Sequence, residues 1–331
     1  MNMRNKTEES GRKVLGAAAV VLVAVLLVAT VLFVIQKWEN KTATPPAHEN
    51  VQSDTITSNG REYVLKKNVE TFLVLGLDKF ENDNTSSYNN DKQADFLLLF
   101  VLDNDKKTCT AVEVNRDTIV KMNVLGVAGE RVGEVTKQIA LSHTYGNGKE
   151  VSCRNTANAL SGLLLGVDVD HYVSFTMDAV PIINDYVGGV EVEVLDDLTS
   201  VDASLVKGEK VTLMGDAALT YVRARHGLDD PTNINRMKRQ RQYVNLLLEK
   251  ALALYNEGVS FTDLAVKLSD TLVSDRSSAS LEKYVEKIRD YEFQGIKEIE
   301  GESVEGVKNM EFYPDQNSLQ DLVLSVFYQE K

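Results

Sequence analysis

The segment FLVLG, at residues 72–76, is followed by two further apolar runs, FLLLFVL at 96–102 and TCTAVEV at 108–114. Short, continuous apolar runs of this kind are typical of buried strands. The turn DNDK at residues 103–106 predicts a hairpin connection between the second and third runs. The polar segment at residues 81–92, rich in Asn, Asp and Ser, is predicted to be a loop.

Helical patterns alternate with strand patterns through the rest of the chain. Helices are predicted over residues 158–165, 177–187 and 215–222, and a long helix over residues 234–255. Residues 190–194 alternate valine with glutamate, as a half-exposed strand does. Because strands and helices are interleaved, the predicted fold class is α/β, with helices layered against a sheet.

Six basic residues lie close together, although the whole chain carries a formal net charge of −13. They are Arg223, Arg225, Arg236, Lys238, Arg239 and Arg241. Within the predicted long helix, Arg236, Arg239 and Gln240 are spaced so that they share one face. Like charges at that spacing destabilise a helix unless an anion lies among them, and the planar arginine fork matches phosphate oxygens. The pattern therefore indicates a strongly anionic ligand near the start of this helix, where free N–H groups also favour anions.

Three carboxylates lie at or beside the ends of the predicted strands. Asp78 follows the first apolar run, Asp95 opens the second, and Asp117 comes just after the third, beside Arg116. Ligands of open α/β sheets bind at strand ends, and carboxylate oxygens are natural ligands of Mg²⁺ or Mn²⁺. Acids that can hold a hard cation, together with arginines that can hold phosphate, suit phosphoryl transfer. Taken singly, each aspartate could instead be a turn residue or a helix cap, and Arg116 and Asp117 could form a structural ion pair.

The N-terminal region is typical of a membrane anchor. Residues 14–35 contain no charged side chain, and a bilayer core requires about 20 apolar residues. Four basic residues precede this segment and only Lys37 and Lys41 follow closely, so residues 1–13 are predicted to be cytoplasmic. A cleaved signal peptide is the alternative, although its apolar region normally runs for only about 7–15 residues. The predicted organisation is a cytoplasmic tail (1–13), a single transmembrane anchor in the cell membrane (14–36), an extracellular linker (37–65) and an extracellular domain (66–331).

The composition argues against several other classes of protein. An acidic net charge argues against a nucleic-acid partner, because proteins that bind nucleic acids usually present a basic face. The histidines are scattered, and no spacing of His, Cys and Asp resembles a zinc site. The two cysteines, Cys109 and Cys153, either form an extracellular disulfide or are two buried thiols.

Short motifs occur along the chain in a fixed order. They are GLD at 76–78, ADFLLL at 94–99, NRDT at 115–118, Lys137 with HTYG at 143–146, YVGGVEV at 186–192, ALTYVRARH at 218–226, RMKRQ at 236–240 and FYPD at 312–315. This set resembles the LytR–CpsA–Psr family of cell-wall glycopolymer ligases. The resemblance covers residues 72–328, and the predicted anchor also fits that family.

The resemblance implies a three-layer α/β/α sandwich with a central mixed sheet and an apolar pocket for a lipid tail, preceded by one transmembrane helix. It implies an enzyme that moves a glycopolymer, such as a teichoic acid or a capsular polysaccharide, from a polyprenyl-pyrophosphate carrier onto peptidoglycan. The product would be a phosphodiester to a muramic acid hydroxyl. The implied partners are the lipid-linked polymer, peptidoglycan and the membrane. The implied cofactor is Mg²⁺ or Mn²⁺, and a pyrophosphatase side activity is part of the expectation.

The resemblance also assigns roles to individual residues. Asp78 and Asp95 match the metal-associated aspartates. The expected catalytic residues are Asp95, which would activate the acceptor hydroxyl directly or through the metal, Arg116, and Asp117, which would orient Arg116. The residues expected to contact the pyrophosphate are Arg116, Arg223, Arg225, Arg236, Gln240 and, matching the family less closely, Arg239 and Lys137.

Two positions depart from the family's usual pattern. Gln93 stands where an arginine is usual, and Asn115 stands where a proline usually precedes the Arg-Asp pair. Losing one charge-assisted contact costs about 1.5–3 kcal/mol, which would slow turnover or shift donor choice. Gln93 is also the best support for an alternative function, a non-catalytic polyprenyl-phosphate-binding scaffold or attenuator of cell-wall assembly.

Overall fold

The computed structural model describes residues 53–78, 90–225, 232–276, 287 and 291–331. The predicted cytoplasmic tail, the predicted anchor and most of the predicted loop at 81–92 lie outside these residues. Among the helices that are described, none combines the length and the apolar character needed to cross a bilayer.

The described elements alternate between strands and helices along the chain. The first half contains β1 (Thr55–Ser58), β2 (Arg61–Leu65), β3 (Val69–Leu77), β4 (Ala94–Asp103), β5 (Thr108–Val114), β6 (Ile119–Leu125), β7 (Arg131–Gln138), α1 (Glu150–Leu163), β8 (His171–Thr176) and α2 (Ala179–Tyr186). The second half contains β9 (Val190–Glu193), β10 (Lys210–Leu213), α3 (Asp216–Arg223), α4 (Ile234–Asn256), α5 (Thr262–Lys267), β11 (Leu272–Ser274), β12 (Glu292–Glu298), β13 (Gly301–Glu305), β14 (Met310–Pro314), α6 (Gln316–Phe327) and β15 (Tyr328–Glu330).

The three apolar runs of the sequence form β3, β4 and β5, as predicted. They are neighbours in a six-stranded sheet of order β11-β8-β3-β4-β5-β12. Strand β4 is antiparallel to both β3 and β5, and the turn at its end makes the predicted hairpin. Strands β8 and β12 run parallel to β3 and β5. The fold is therefore a mixed α/β fold around a central mixed sheet.

Helices cover both faces of this sheet. Successive side chains of a strand point to opposite faces, and the runs of β3 and β4 are apolar at successive positions because each face has a core of its own. On one face Phe72 and Leu98 pack in a cluster with residues of α2, α3, α4 and α5. On the other face Leu73 and Leu99 pack with residues of α1 and α6.

Helix α1 differs from its prediction at its start. The sequence indicated a helix over 158–165, whereas α1 begins at Glu150. The first turns bury Ser152, Asn155 and Thr156 beside the apolar residues of the helix. Polar side chains on a buried face hide the apolar periodicity, so the pattern detected only the second half of the helix.

The residues just before the central sheet are folded as well. Strands β1 and β2, at residues 55–65, form a hairpin within the predicted linker, and β2 pairs with the C-terminal strand β15. Tyr63 and Leu65 pack against the core on the α1 and α6 side. The folded part of the chain therefore extends at least to Thr55.

The two cysteines are free thiols. Cys109 and Cys153 are both buried, and they belong to the cores on opposite faces of the sheet. Burial raises the pKa of each thiol to about 12. Of the two alternatives that the sequence left open, the structure has the buried thiols.

Candidate functional site

Asp95 lies at an irregularity in the pairing of β3 with β4. Gly76 pairs with Phe96 and the next residue, Leu77, pairs with Ala94, so Asp95 is the extra residue of a β-bulge. A bulge redirects the side chain of its extra residue and is common beside functional sites. A Cβ atom on Gly76 would lie 2.9 Å from the Cβ of Phe96, so the close approach of the two strands requires glycine.

Arg116 follows β5 and is held by three side chains. Its Nη1 pairs with Oδ1 of Asp95, and its Nη2 donates a hydrogen bond to Oε1 of Gln93. Its Nε lies 3.4 Å from Oδ1 of Asp117. The glutamine that replaces the family's usual arginine is therefore an acceptor for the neighbouring arginine of the site.

Arg236 lies in the first turn of α4 and contacts the same aspartate from the other side. Its Nη1 is 3.5 Å from Oδ2 of Asp95, and its Nη2 donates to the backbone oxygen of Asp95 at 3.3 Å. The residue is only 3% exposed. Burial, and then the positive charge of Arg225, lower the pKa of Arg236 to about 9 against the opposing charge of Asp95. The carboxylate of Asp95 therefore lies between two arginines.

Asp117 is buried and held in place by polar neighbours. Its Oδ1 accepts a hydrogen bond from Nε2 of Gln138 at 2.9 Å, and its N–H donates to Oδ1 of Asn115 at 3.0 Å. Burial raises the pKa of Asp117, and the charges of three arginines (Arg116, Arg225 and Arg236) oppose that shift. These contacts place Asp117 where it can fix the orientation of Arg116.

A second, more exposed ion pair joins the end of β3 to the end of α3. Nη2 of Arg223 lies 2.8 Å from Oδ1 of Asp78. The N–H of Asp78 donates to the backbone oxygen of Gln93 at 3.3 Å, so Asp78 lies across from the segment that leads into Asp95. A cation in the last turn of a helix is also stabilised by the helix dipole.

Arg225 differs from the other arginines of the cluster. Partial burial of its guanidinium and the positive charge of Arg116 lower the pKa of Arg225, against the charges of Asp95, Asp117 and Asp78. No ion pair or hydrogen bond joins its side chain to another residue of the described chain. It therefore contributes a cation that is available to a ligand.

Three residues expected at the phosphate, Arg239, Gln240 and Lys137, do not contact the aspartates of the site. Arg239 is 0% exposed, with its Nε 3.2 Å from Oδ2 of Asp196 and its Nη2 bonded to the backbone oxygen of Ala224. Gln240 donates from Nε2 to the backbone oxygen of Val222 at 3.1 Å. Both side chains therefore tie α4 to the segment that carries Arg223 and Arg225.

Lys137 lies apart from these contacts. It is exposed on β7, one residue before Gln138, whose side chain reaches Asp117. Neighbouring side chains of a strand point to opposite faces, so Lys137 points away from Asp117. The roles of Gln138 and Asp196 in the site were not predicted, because each is defined by a contact distant in the sequence.

An apolar cavity of about 170 Å³ opens beside the arginines, between the sheet and helices α2, α3 and α4. Its apolar wall includes Phe96, Leu98, Phe175, Ile183, Val222 and Leu247. Arg223 and Gln240 also line it. A cluster of guanidinium groups beside an apolar cavity suits an amphiphile with an anionic head group.

Asp78 and Asp95 are the candidate ligands of a divalent cation. Asp78 follows β3 and Asp95 is the second residue of the neighbouring strand β4, and both supply the carboxylate oxygens that Mg²⁺ prefers. The described residues contain no group of three or more His, Cys, Asp or Glu side chains that could hold a metal ion. Mg²⁺ is commonly bound by one or two carboxylates with substrate phosphates and water, so the pair fits a cation that arrives with a phosphate ligand.

The chain belongs to the LytR–CpsA–Psr family, because residues 30–325 match the LytR_cpsA_psr family. It is 28% identical over 234 residues to the polyisoprenyl-teichoic acid–peptidoglycan teichoic acid transferase TagU of Enterococcus faecalis, and the match covers 70% of each chain. The transferase of the same description, TagV of Bacillus subtilis, is 26% identical over 253 residues, which cover 74% of this chain and 60% of TagV. The cell wall biosynthesis protein LcpA of Corynebacterium glutamicum is 30% identical over 199 residues, 56% of this chain and 36% of LcpA.

Solved structures share the fold. The structure of TagT bound to LI-WTA superposes with a TM-score of 0.58 at 20% identity, covering 78% of this chain and 90% of TagT. The crystal structure of Bacillus subtilis TagV gives a TM-score of 0.59 at 21% identity, covering 79% of this chain and 97% of TagV. This chain therefore shares its mixed α/β fold with TagT and TagV.

Proposed function

We propose that this chain is a membrane-anchored extracellular phosphotransferase. It would move a glycopolymer from a polyprenyl-pyrophosphate carrier onto a muramic acid hydroxyl of peptidoglycan. The observation that carries the proposal is the apolar cavity beside the arginine cluster, since a polyprenyl pyrophosphate is an amphiphile with a strongly anionic head. Two relatives named as teichoic acid transferases support the same reaction class.

The donor would bind with its polyprenyl tail in the cavity and its pyrophosphate on the guanidinium groups. Arg225 would make the first contact, because it has no partner to release among the described residues. Arg223 would follow by exchanging its exposed contact with Asp78 for a phosphate oxygen. Each charge-assisted hydrogen bond of this kind contributes about 1.5–3 kcal/mol.

Asp95 would activate the acceptor once the donor is bound. In the free protein both of its carboxylate oxygens face arginines, Arg116 and Arg236. When these arginines turn to the phosphates, Asp95 becomes able to accept the proton of the acceptor hydroxyl. Asp117 would hold Arg116 during this exchange through its contact with Nε.

The reaction would form one bond to phosphorus and break another. The acceptor oxygen bonds to the phosphorus that carries the glycopolymer, and the bond from that phosphorus to the bridging oxygen breaks. Polyprenyl phosphate leaves with the bridging oxygen, and the hydroxyl proton passes to Asp95. Arg116 and Arg236 stabilise the charge that develops on the phosphate oxygens.

A divalent cation, Mg²⁺ or Mn²⁺, is part of the proposal. Asp78 and Asp95 would hold it together with phosphate oxygens of the donor. When bound, it would neutralise part of the pyrophosphate charge.

The place of the protein in the cell rests on the N-terminal sequence. Residues 14–36 would cross the membrane once, with residues 1–13 in the cytoplasm and the folded domain outside the cell. This arrangement brings the domain to the surface on which both a lipid-linked donor and peptidoglycan are found.

A non-catalytic binder of polyprenyl phosphates is the second candidate. The observation that favours it is the hydrogen bond from Arg116 to Gln93, which adds a third partner to an arginine that catalysis requires to move. Such a protein would retain the lipid without turnover.

The test is a transfer assay with the full chain in detergent. The protein is incubated with a polyprenyl-pyrophosphate oligosaccharide, peptidoglycan fragments and Mg²⁺, and mass spectrometry follows release of polyprenyl monophosphate and formation of the adduct. Wild type should form both products, and Asp95→Ala should form neither. Tight binding of the donor without release by wild type would support the second candidate, and unchanged transfer by Asp95→Ala would refute the role of Asp95.

A further inference from the structure

A second cleft, of about 810 Å³, lies next to the arginine cluster and was not anticipated from the sequence. The start of α4, the end of β12 and parts of β13, β14 and α6 bound it. Ile234 and Met237, in the first turn of α4, line this cleft. Gln240 and Tyr243, in the following turns, line the apolar cavity. Two cavities of different character therefore lie along one helix, and Arg236 lies in its first turn, beside the residues that line the cleft.

Asn115 connects this cleft to the reacting groups. It precedes Arg116, lines the cleft and is only 4% exposed. Its Oδ1 accepts hydrogen bonds from the N–H of Asp117 at 3.0 Å and from Nδ2 of Asn233 at 3.3 Å. These contacts fix the amide, and its Nδ2 has no acceptor among the residues that the structure describes. An oriented, unpaired donor is thus left for a ligand in the cleft.

The chemistry of the cleft differs from that of the arginine cluster. Three carboxylates, Glu298, Glu300 and Asp321, and one cation, Lys297, line the cleft, and the pairing of Glu298 with Arg241 still leaves the wall with a net negative charge. The hydroxyls of Ser318 and Ser325 donate to Glu300 and to the backbone oxygen of Leu322, which leaves their oxygens as acceptors, and the side chains of Phe312 and Leu322 add apolar surface. A phosphate-rich polymer would be repelled here, whereas an uncharged sugar chain finds hydrogen-bonding groups beside apolar surface.

We propose that this cleft binds the acceptor, as an N-acetylated amino-sugar strand of peptidoglycan. The inference rests on the proposed transfer reaction and locates its second substrate. The strand lies between α6 and the start of α4, and Nδ2 of Asn115 donates to an oxygen of the sugar that presents the acceptor hydroxyl. The negative wall keeps the polyanionic donor on the arginine side, so that each substrate enters its own cavity.

The first test blocks the cleft at a surface position. Ser325 lies on the exposed side of α6 and lines the cleft, whereas Asn317 is exposed on the same helix and does not line it. In the full chain in detergent, Ser325→Trp should raise the KM for uncross-linked peptidoglycan strands by about tenfold or more. The KM for the polyprenyl-pyrophosphate donor should stay unchanged, and Asn317→Trp should leave both values as in wild type.

The second test addresses the donated hydrogen bond. Asn115→Asp keeps an oxygen for the N–H of Asp117 and for Asn233 but replaces the Nδ2 donor with an acceptor. It should weaken binding of the same strands, measured by titration calorimetry without donor, by about tenfold. Because this measurement needs no turnover, it separates acceptor binding from catalysis.

The outcomes test the assignment of the cleft separately from the proposed transfer reaction. If wild type consumes no donor but binds the strands, and Ser325→Trp does not bind them, the transfer proposal fails while the cleft assignment stands. If wild type transfers and Ser325→Trp has the same acceptor KM, the cleft assignment is overturned and the transferase remains. Failure of wild type to bind the strands at all also overturns the assignment.

Discussion

At the scale of single residues, the arginines of the cluster differ in what holds them. Arg116 has three partners, Arg236 contacts both the side chain and the backbone of Asp95, and Arg225 has no described partner. Gln93 contributes to this difference, because its amide oxygen accepts from Arg116. An arginine at position 93 would offer only donors and would place a second cation against Arg116.

The first prediction concerns Gln93. Gln93→Arg should lower the free energy of unfolding by about 1–3 kcal/mol, because Arg116 loses an acceptor and gains a like charge. Gln93→Glu is the matched control, since a carboxylate keeps the acceptor and should not destabilise the fold. Chemical denaturation of the two variants beside wild type measures the difference. Equal stability of the two variants would show that the hydrogen bond from Arg116 to Gln93 does not stabilise the fold.

The second prediction separates a ligand-binding arginine from a structural one. Arg225→Ala should weaken binding of a polyprenyl pyrophosphate by about 1.5–3 kcal/mol with little loss of stability, because no described partner is left behind. Arg239→Ala should destabilise the fold by about 3–5 kcal/mol, since it leaves the carboxylate of Asp196 without its buried partner. Lipid binding and thermal unfolding of both variants give the comparison. A stability loss from Arg225→Ala as large as that from Arg239→Ala would refute the distinction.

At the scale of elements, the bulge between β3 and β4 positions the central carboxylate. Asp95 is the extra residue, and Gly76 allows the two strands to approach at that point. The position of Asp95 therefore depends on a glycine of the neighbouring strand, which also lines the apolar cavity.

The third prediction tests this dependence. Gly76→Ala should cost about 1–3 kcal/mol of stability and should reduce transfer, because its Cβ would push against Phe96 and displace Asp95. Gly133→Ala on β7 is the matched control, since a Cβ there meets nothing within 4 Å. Activity and denaturant unfolding are measured for both. Full activity in Gly76→Ala would mean that the bulge does not position Asp95.

A buried acid joins three elements behind the cluster. Glu113 on β5 is 1% exposed, and its Oε2 lies 3.3 Å from Nε of Arg241 on α4, which also pairs with Glu298 on β12. Burial raises the pKa of Glu113 to about 7 against the charge of Arg241. The folded state therefore binds this proton more tightly than the unfolded chain. Its stabilising contribution is complete below about pH 4.5, the ordinary value, and is lost as the pH rises through about 7.

The raised pKa of Glu113 predicts that the protein becomes less stable as the pH rises. Between about pH 5 and about pH 8 the wild-type free energy of unfolding should fall by up to about 3 kcal/mol through this group, whereas Glu113→Gln should lack that component. Urea denaturation across this range measures both slopes. Glu298→Gln, at the exposed end of the ion pair, serves as a control and should keep the wild-type slope. Parallel profiles for wild type and Glu113→Gln would contradict the assignment.

The sequence predicted the elements whose patterns are local. The three apolar runs, the hairpin after β4 and the long helix α4 were all found, because continuous apolar runs and helical periodicity report burial directly. The start of α6 depends on a side-chain contact: the helix begins at Gln316, and its cap, Asp315, accepts a hydrogen bond from the N–H of Ser318 at 2.8 Å.

The site was predicted less completely than the fold. Spacing placed Arg236 and Arg239 on one helix face, yet only Arg236 contacts Asp95, because Asp196 from a distant segment pairs with Arg239. The bulge at Asp95 could not be predicted either, since it depends on how two strands pair. Contacts between residues far apart in sequence leave no periodic signal, so they emerge only from the folded chain.

At the scale of the whole molecule, an acidic protein concentrates positive charge at one point of its sheet. The net charge is −13, while four arginines, Arg116, Arg223, Arg225 and Arg236, converge on the strand ends that carry Asp78, Asp95 and Asp117. Two cavities lie beside these arginines, and one is apolar while the other is lined largely by polar and acidic residues. A lipid-linked anion and an uncharged sugar chain could therefore reach the same carboxylate from different sides.

The arginine cluster and the apolar cavity should act together as one site for a lipid pyrophosphate. The most direct test is a calorimetric titration of the full chain, in detergent and Mg²⁺, with a short polyprenyl pyrophosphate, the corresponding polyprenyl alcohol and inorganic pyrophosphate. The lipid pyrophosphate should bind at least about a hundredfold more tightly than either part alone, which corresponds to about 2.8 kcal/mol. Inorganic pyrophosphate that binds as tightly as the lipid pyrophosphate would show that the cavity is not part of the site.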